Sequence, residues 1–107
     1  MNLQDYVEKA HKTAVDHGFW EDGEDRNFGE MVALIHSELS EALDEHRSGK
    51  DAVYIENGKP EGIAVELADV FIRLCDLFYI LGVDMDKVVE LKMDYNETRP
   101  YKHGKTY

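Results

Sequence analysis

The feature that most constrains the fold is a long apolar stretch between Pro60 and Gly82. Proline is favoured at the first position of an α-helix and glycine just beyond its last, so these two residues predict a helix that begins at Pro60 and encloses 61–81. Its apolar residues are Ile63, Val65, Leu67, Ala68, Val70, Phe71, Ile72, Leu74, Leu77, Phe78, Ile80 and Leu81. A helix that is apolar on most of its sides belongs at the centre of a helical protein.

Three further helices are predicted around this central one. Apolar residues at three- and four-residue spacing predict a first helix over about 3–17 and a second over about 28–47. Asp84 is a suitable N-cap for a fourth helix that ends before Pro100. We therefore expect a single domain over 1–107, folded as an all-α bundle of four to five helices.

Local signals mark two of the boundaries. Asn27, with Glu30 three positions later, has the form of a capping box at the start of the second helix. Residues 51–59 predict a loop, with a turn at Asn57-Gly58, although 52–55 could also form a short extended piece or a helical turn. On this reading, Pro60 is the first residue of the third helix.

The apolar central helix also bears on oligomeric state. A bundle of four short helices leaves little room to surround one member completely. A domain of 107 residues buries a comparatively small fraction of its surface, which favours self-association. We therefore expect oligomerisation through the central helices, as a homodimer or homotetramer.

The charge balance excludes some partners. Lys and Arg number 12 and Asp and Glu number 23, giving a formal net charge of −11. Such a field repels polymeric nucleic acid and anionic membranes. No basic segment followed by an apolar core begins the sequence, and no stretch of about eighteen apolar residues occurs, so a cytoplasmic location is expected. The single cysteine, Cys75, has apolar neighbours and is predicted to be buried.

Polar residues on the two central helices are concentrated in stripes. On the third helix they follow at i, i+3, i+7 and i+10: Glu66, Asp69, Arg73 and Asp76. On the second helix, glutamates recur at i, i+3 and i+7: Glu38, Glu41 and Glu45. Residues at these spacings share one side of a helix, so the two stripes can face each other across the bundle.

Facing carboxylates predict a site for a divalent cation. Ionised carboxylates three residues apart repel each other, and burying them without compensation is costly. Oxygen ligands suit Mg²⁺, with Mn²⁺ as a substitute, better than zinc. No Glu-x-x-His pair of the di-iron bundles occurs in the sequence. The alternative interpretation, two solvated acidic faces, stays open on the residues alone, although the apolar surroundings of the third helix count against it.

The two acidic pairs also carry a resemblance. LIHSELSEAL at 34–43, followed by ELADV at 66–70, resembles the MazG-like family of all-α nucleotide pyrophosphohydrolases, whose signature is E-x-x-E and then E-x-x-D. The resemblance spans roughly 27–99. It implies hydrolysis of a standard or modified NTP or dNTP to the monophosphate and pyrophosphate, a house-cleaning activity. It also implies that Mg²⁺ is held by four catalytic acidic residues: Glu38, Glu41, Glu66 and Asp69.

The resemblance implies further residues at the phosphate end of the substrate. Relatives carry a similar Lys and Asn in the fourth helix for phosphate and metal-site contacts, which points to Lys92 and Asn96 as catalytic and substrate-binding residues. Arg99 shares their helix face. With His103 and Lys105 in the tail, it could donate hydrogen bonds to the pyrophosphate. Cations at the end of a helix are, alternatively, often simply solvated.

The resemblance also implies residues that contact the base of the nucleotide. In some relatives a His and an aromatic residue at similar places lie against the nucleotide base, which points to His11 and Trp20. The alternatives are that Trp20 packs over the end of the bundle and that His11 is a surface residue.

Other functions remain compatible with the sequence. Phosphoribosyl-ATP pyrophosphohydrolases and dimeric enzymes acting on dUTP or dUDP share the bundle that the resemblance implies. The non-enzymatic alternative is a helical interaction module, whose apolar third helix serves only to dimerise or to bind a partner.

Overall fold

The computed structural model describes residues 2–20 and 27–100. Within these ranges the chain forms four α-helices and one β-hairpin. In chain order the elements are α1 (Leu3–Asp16), α2 (Phe28–Arg47), β1 (Tyr54–Glu56), β2 (Lys59–Glu61), α3 (Ile63–Leu81) and α4 (Met85–Glu97). The predicted all-α architecture is confirmed, with the small two-stranded sheet as an addition to it.

The helix ends follow the local sequence signals. At the start of α2, the backbone N–H of Glu30 donates to Oδ1 of Asn27 at 2.9 Å. At the start of α4, the N–H of Lys87 donates to Oδ1 of Asp84 at 3.1 Å. Gly82 ends α3 in the left-handed conformation, with φ of 69°, which glycine adopts without steric cost. These predicted boundaries are confirmed.

The predicted loop over 51–59, and Pro60 as the first helical residue, are wrong. The chain forms an antiparallel hairpin in which Ile55 lies opposite Pro60. The predicted turn is present, since Asn57 and Gly58 both have positive φ, of 54° and 79°, as a two-residue type I′ turn requires. Proline is tolerated because both strands of a two-stranded hairpin are edge strands. Three-residue strands are too short to show a clear alternating pattern in the sequence.

Gly62 joins the hairpin to α3. Its φ is 116°, and a Cβ atom at this position would lie 2.3 Å from the carbonyl oxygen of Ala52. The N–H of Ala64 donates to that same oxygen at 3.0 Å. The backbone preceding the hairpin is therefore held against the first turn of α3, and the helix begins at Ile63 rather than at Pro60.

The core confirms the central place of α3, which packs against α1, α2 and β2. One buried cluster consists of Trp20, Met31, Ile35, Val70 and Leu77. A second consists of Val7, Cys75 and Met85, with Cys75 buried as predicted. None of the helices in the described ranges has the length and apolarity that crossing a membrane requires.

Candidate metal centre

Three carboxylates from two helices meet where α2 packs against α3. Glu38 comes from α2, and Glu66 and Asp69 come from the first two turns of α3. One carboxylate oxygen from each residue lies within 4.8 Å of the other two. Because residues three apart share a helix face, the E-x-x-D pair presents both side chains to Glu38. Three oxygens this close can surround one cation.

Glu41, the fourth predicted ligand, lies one turn after Glu38 and is exposed. Within the described ranges, its oxygens do not belong to the close group of three. Its charge nevertheless contributes to raising the pKa of Glu66. Glu41 therefore borders the cluster on its solvent side.

Negative charge in the cluster is incompletely compensated. Burial raises the pKa of Glu66 to about 7, and the charges of the neighbouring carboxylates add to the effect of burial. Burial, followed by the charge of Glu38, also raises the pKa of Asp69. The positive charges of Arg73 and Lys59 lower the pKa of Asp69, but by less than burial raises it. A carboxylate that holds its proton near neutral pH is one whose charged form is poorly stabilised by its surroundings, and a divalent cation can stabilise that form.

Arg73 supplies part of the compensation. Its Nε and Nη2 atoms each lie 3.1 Å from the same oxygen, Oε1 of Glu38. The Glu38 side chain is 14% exposed and that of Arg73 is 40% exposed. The sequence places Arg73 in the polar stripe but does not predict it as a site residue. The signal available was that it is the one cation of the stripe, one turn after Asp69.

A second cation borders the cluster from the hairpin. Nζ of Lys59 lies 3.4 Å from Oε1 of Glu61, two residues along the same strand. The charge of Lys59 lowers the pKa of Asp69 and that of Glu61 raises it, although burial of Asp69 outweighs both. The hairpin therefore brings a cation and a carboxylate to the edge of the cluster. The sequence predicts the turn at Asn57-Gly58 but not that the chain on its far side reaches the carboxylate cluster.

A groove of about 630 Å³ runs between α1 and α3. Its walls include two carboxylates of the cluster, Glu38 and Asp69, and the neighbouring Arg73. Apolar and aromatic residues make up much of the remaining lining, among them Tyr6, Ala10, Ala14, Phe71 and Ile72. The volume lies within the range of small-molecule sites, roughly 300–1,000 Å³. The groove thus combines an apolar surface with direct access to the carboxylates.

His11 and Trp20 converge on Asp76. Nδ1 of His11 lies 2.7 Å from Oδ1 of Asp76, and the indole N–H of Trp20 donates to Oδ2 at 3.2 Å. The imidazole stacks on Tyr79 with ring centroids 3.6 Å apart. Trp20 and Asp76 are only 8% and 7% exposed. The structure brings the two predicted base-binding residues together through a buried carboxylate that was not selected from the sequence. Their contact with a base stays a prediction.

The residues predicted for the phosphate end lie on or just after α4, which packs against α1. Lys92 and Asn96 are exposed, and Nζ of Lys92 lies 5.0 Å from the ring centroid of Tyr95. Cζ of Arg99 lies 5.8 Å from the same centroid. Within 2–20 and 27–100, no hydrogen bond or ion pair joins them to the carboxylate cluster. The predicted tail donors lie outside the described residues: His103 and Lys105.

Comparison with known proteins does not identify a family. No protein-family model matches the chain, and neither the curated proteins nor the solved structures yield a match. The function of this protein is therefore inferred from its own residues and their arrangement.

Proposed function

We propose that this protein is a cytoplasmic, Mg²⁺-dependent nucleoside triphosphate pyrophosphohydrolase of the MazG-like type. The observation that carries the proposal is the close approach of Glu38, Glu66 and Asp69 beside an open groove. Two acidic pairs on packed helices are the pattern expected of that family. The adjacent groove supports the proposal, because it provides room for a ligand next to the charges.

The donor set fits Mg²⁺. The cluster offers carboxylate oxygens from Glu38, Glu66 and Asp69, and hard oxygen ligands are those that Mg²⁺ prefers. The raised pKa of Glu66, about 7, indicates that the metal-free cluster carries more negative charge than its surroundings stabilise. Glu41 would complete the set from the solvent side, and Mn²⁺ could substitute. When bound, Mg²⁺ neutralises phosphate oxygens and lowers the pKa of an attacking water.

The proposed substrate is a standard or modified NTP or dNTP. Its triphosphate would lie at the carboxylates, and its sugar and base would extend into the groove between α1 and α3. Tyr6 and Phe71, whose rings meet edge to face at 5.8 Å, provide an aromatic wall there. Hydrolysis breaks the anhydride bond between the α and β phosphates, and the water oxygen joins one of the two phosphorus atoms. The products are the nucleoside monophosphate and pyrophosphate.

We further propose a homodimer, with a homotetramer as the larger alternative. Exposed large apolar side chains on the two central helices include Leu39, Leu43, Leu67, Ile72 and Leu81. The radius of gyration is 16.5 Å, whereas a compact domain of this length has about 13 Å. A second chain against these helices would bury the apolar surface, and it could bring its own Lys92 and Asn96 towards the carboxylates. Sedimentation-equilibrium centrifugation measures the oligomeric state directly.

A product assay tests the enzymatic proposal. The protein is incubated with Mg²⁺ and a panel of NTPs and dNTPs, and the products are separated by ion-exchange chromatography. Monophosphate and pyrophosphate, without orthophosphate, are expected. Glu66→Gln and Asp69→Asn should lower the rate about 100-fold or more while the proteins remain folded. Asp94→Asn, an exposed acidic residue of α4, is the matched control and should keep its activity. Absence of any triphosphate conversion would contradict the proposal.

Two alternatives are tested by extending this assay and by measuring binding. Adding dUTP, dUDP and phosphoribosyl-ATP to the panel separates related pyrophosphohydrolases that differ only in substrate. A non-catalytic dimerisation module is favoured by the exposed apolar side chains of the central helices. That module, however, gives no reason for three carboxylates, two of them partly buried, to approach within 4.8 Å of one another. An oligomer that binds neither Mg²⁺ nor any nucleotide would favour the module.

A further inference from the structure

We propose that Arg73 exchanges partners as the site fills. In the metal-free protein it is the counter-ion of Glu38, and once a cation has taken Glu38 it binds a phosphate group of the substrate. The inference rests on the proposed function, because it requires a cation and a phosphate at the same site. It adds a substrate-binding role for a residue that the two acidic motifs do not contain.

The geometry of the ion pair leaves donors unused. Nε and Nη2 of Arg73 both approach one oxygen of Glu38, at 3.1 Å each. A guanidinium has five N–H donors, of which the Nε–H donates to Glu38, while Nη2 makes an ion-pair contact with the same oxygen. The Arg73 side chain is 40% exposed and lines the groove, whereas that of Glu38 is 14% exposed. The guanidinium is thus the accessible partner of the pair and faces the space where a ligand would lie.

Arg73 and a cation compete for the same carboxylate. Oε1 of Glu38 accepts a hydrogen bond from Nε of Arg73 and lies 3.1 Å from Nη2, and Glu38 is also one of the three residues whose oxygens approach within 4.8 Å. A cation among these oxygens would repel the guanidinium and weaken its hold on Glu38. A phosphate on that cation would place anionic oxygens beside Arg73, and the planar guanidinium fork suits phosphate geometry. The freed guanidinium therefore has a stronger partner within the groove.

A purely structural ion pair makes a different prediction. If Arg73 only held α2 against α3, its removal would loosen the carboxylates and weaken the binding of both the metal and the phosphate. The partner exchange predicts effects of opposite sign, with tighter metal binding and weaker phosphate binding. The sign of the change in metal affinity therefore distinguishes the two roles without any measurement of catalysis.

The first measurement uses the metal alone. Mn²⁺ is titrated into the full-length protein, and free Mn²⁺ is followed by electron paramagnetic resonance. Arg73→Gln should bind Mn²⁺ several-fold to about tenfold more tightly than the wild type, because a competing charge-assisted hydrogen bond is gone. Arg47→Gln is the matched control, since it removes the same charge nine residues beyond Glu38 on α2, about 13 Å along the axis. The control should stay within about twofold of the wild type.

The second measurement uses imidodiphosphate, a pyrophosphate analogue that resists hydrolysis, titrated calorimetrically as its Mn²⁺ complex. Arg73→Gln should bind it about tenfold more weakly than Arg47→Gln does. Arg73→Lys keeps the charge but not the planar fork, so it should recover part of the lost affinity. Arg73→Lys also serves if Arg73→Gln does not fold, and circular dichroism establishes that each variant is helical.

The outcomes separate this inference from the proposed function. Opposite changes in metal and phosphate affinity would support the partner exchange. Weaker or unchanged Mn²⁺ binding in Arg73→Gln, or unchanged imidodiphosphate binding, would overturn it while leaving the metal site intact. A wild-type protein that binds no Mn²⁺ would overturn both this inference and the proposed function.

Discussion

Nδ1 of His11 lies 2.7 Å from Oδ1 of Asp76, which ties α1 to α3 across the protein interior. The second carboxylate oxygen accepts a hydrogen bond from the indole of Trp20, in the segment that follows α1. One carboxylate, only 7% exposed, thereby connects three parts of the chain. Asp76 is the last member of the polar stripe on α3. The first two members of this stripe belong to the candidate metal centre, whereas Asp76 forms hydrogen bonds in the core.

Replacing Asp76 by alanine should destabilise the fold. The substitution leaves the Nδ1 side of His11 and the indole N–H of Trp20 without this acceptor, and breaking such a buried pair costs about 3 kcal/mol. The free energy of unfolding is measured by urea titration with circular dichroism. Asp94→Ala, an exposed change on α4, should alter it by less than about 0.5 kcal/mol. Equal stability of the two variants would contradict a stabilising role for Asp76.

Glu66 should make the stability of the metal-free protein depend on pH. Its pKa of about 7 in the folded state lies above the ordinary value of 4.5, so the folded protein binds the proton more tightly. The resulting destabilisation is absent below the ordinary pKa, grows as the pH rises towards 7, and is complete above it. Glu66→Gln should therefore raise the free energy of unfolding near pH 8 by about 1 kcal/mol, a value discounted for partial solvent exposure.

The control for Glu66→Gln is the same comparison near pH 4.5, where the wild-type carboxyl is largely protonated in the folded state and the variant should have little effect. Saturating Mg²⁺ near pH 8 should reverse the order of stability, because only the wild type retains the full set of ligands. Urea titrations under the three conditions measure both effects. A variant less stable than the wild type near pH 8 without metal would contradict the inferred charge excess.

The affinity for Mg²⁺ should rise with pH and then level off above about 7. Below that value the proton on Glu66 competes with the cation, and affinity should fall by up to about tenfold per pH unit. Isothermal titration calorimetry in buffers of different ionisation enthalpy measures both the affinity and the proton released. Proton release near pH 6 should be absent in Glu66→Gln. Affinity independent of pH between about 5 and 7 would show that Glu66 does not bind the metal.

Gly62→Ala should be far more damaging than Gly49→Ala. At Gly62 a Cβ atom would meet the carbonyl oxygen of Ala52 at 2.3 Å, and φ is 116°. Gly49 also has positive φ, 73°, but a Cβ atom there meets nothing within 4 Å. Alanine should cost about 1 kcal/mol at Gly49, from backbone strain alone, and about 3 kcal/mol at Gly62, where the hairpin must move. Thermal unfolding followed by circular dichroism compares them, and equal losses would argue against the close contact.

Helix positions, and the ends other than the start of α3, were predictable because their causes are local. The cap at Asn27 forms a hydrogen bond to a backbone group three residues away, and the stop at Gly82 depends on the conformational freedom of one residue. The central place of α3 followed from composition alone, since a helix apolar on most sides must be covered. The hairpin was not predicted because its strands are too short to show an alternating pattern of apolar and polar residues. The contact of Gly62 with Ala52 likewise has no recognisable sequence pattern.

The candidate site likewise has features that the local sequence predicts and features that depend on tertiary contacts. By itself, the sequence determined which helices carry the carboxylates and which side of each helix they share, because residues three or four apart in an α-helix lie on the same face. Only the tertiary structure decided that Glu38 meets Glu66 and Asp69 while Glu41 faces solvent. It also decided that Arg73 pairs with Glu38, and that Asp76 holds His11 and Trp20. These contacts depend on the packing of one helix against another, and side chains 35 to 65 residues apart carry no local signal of their meeting.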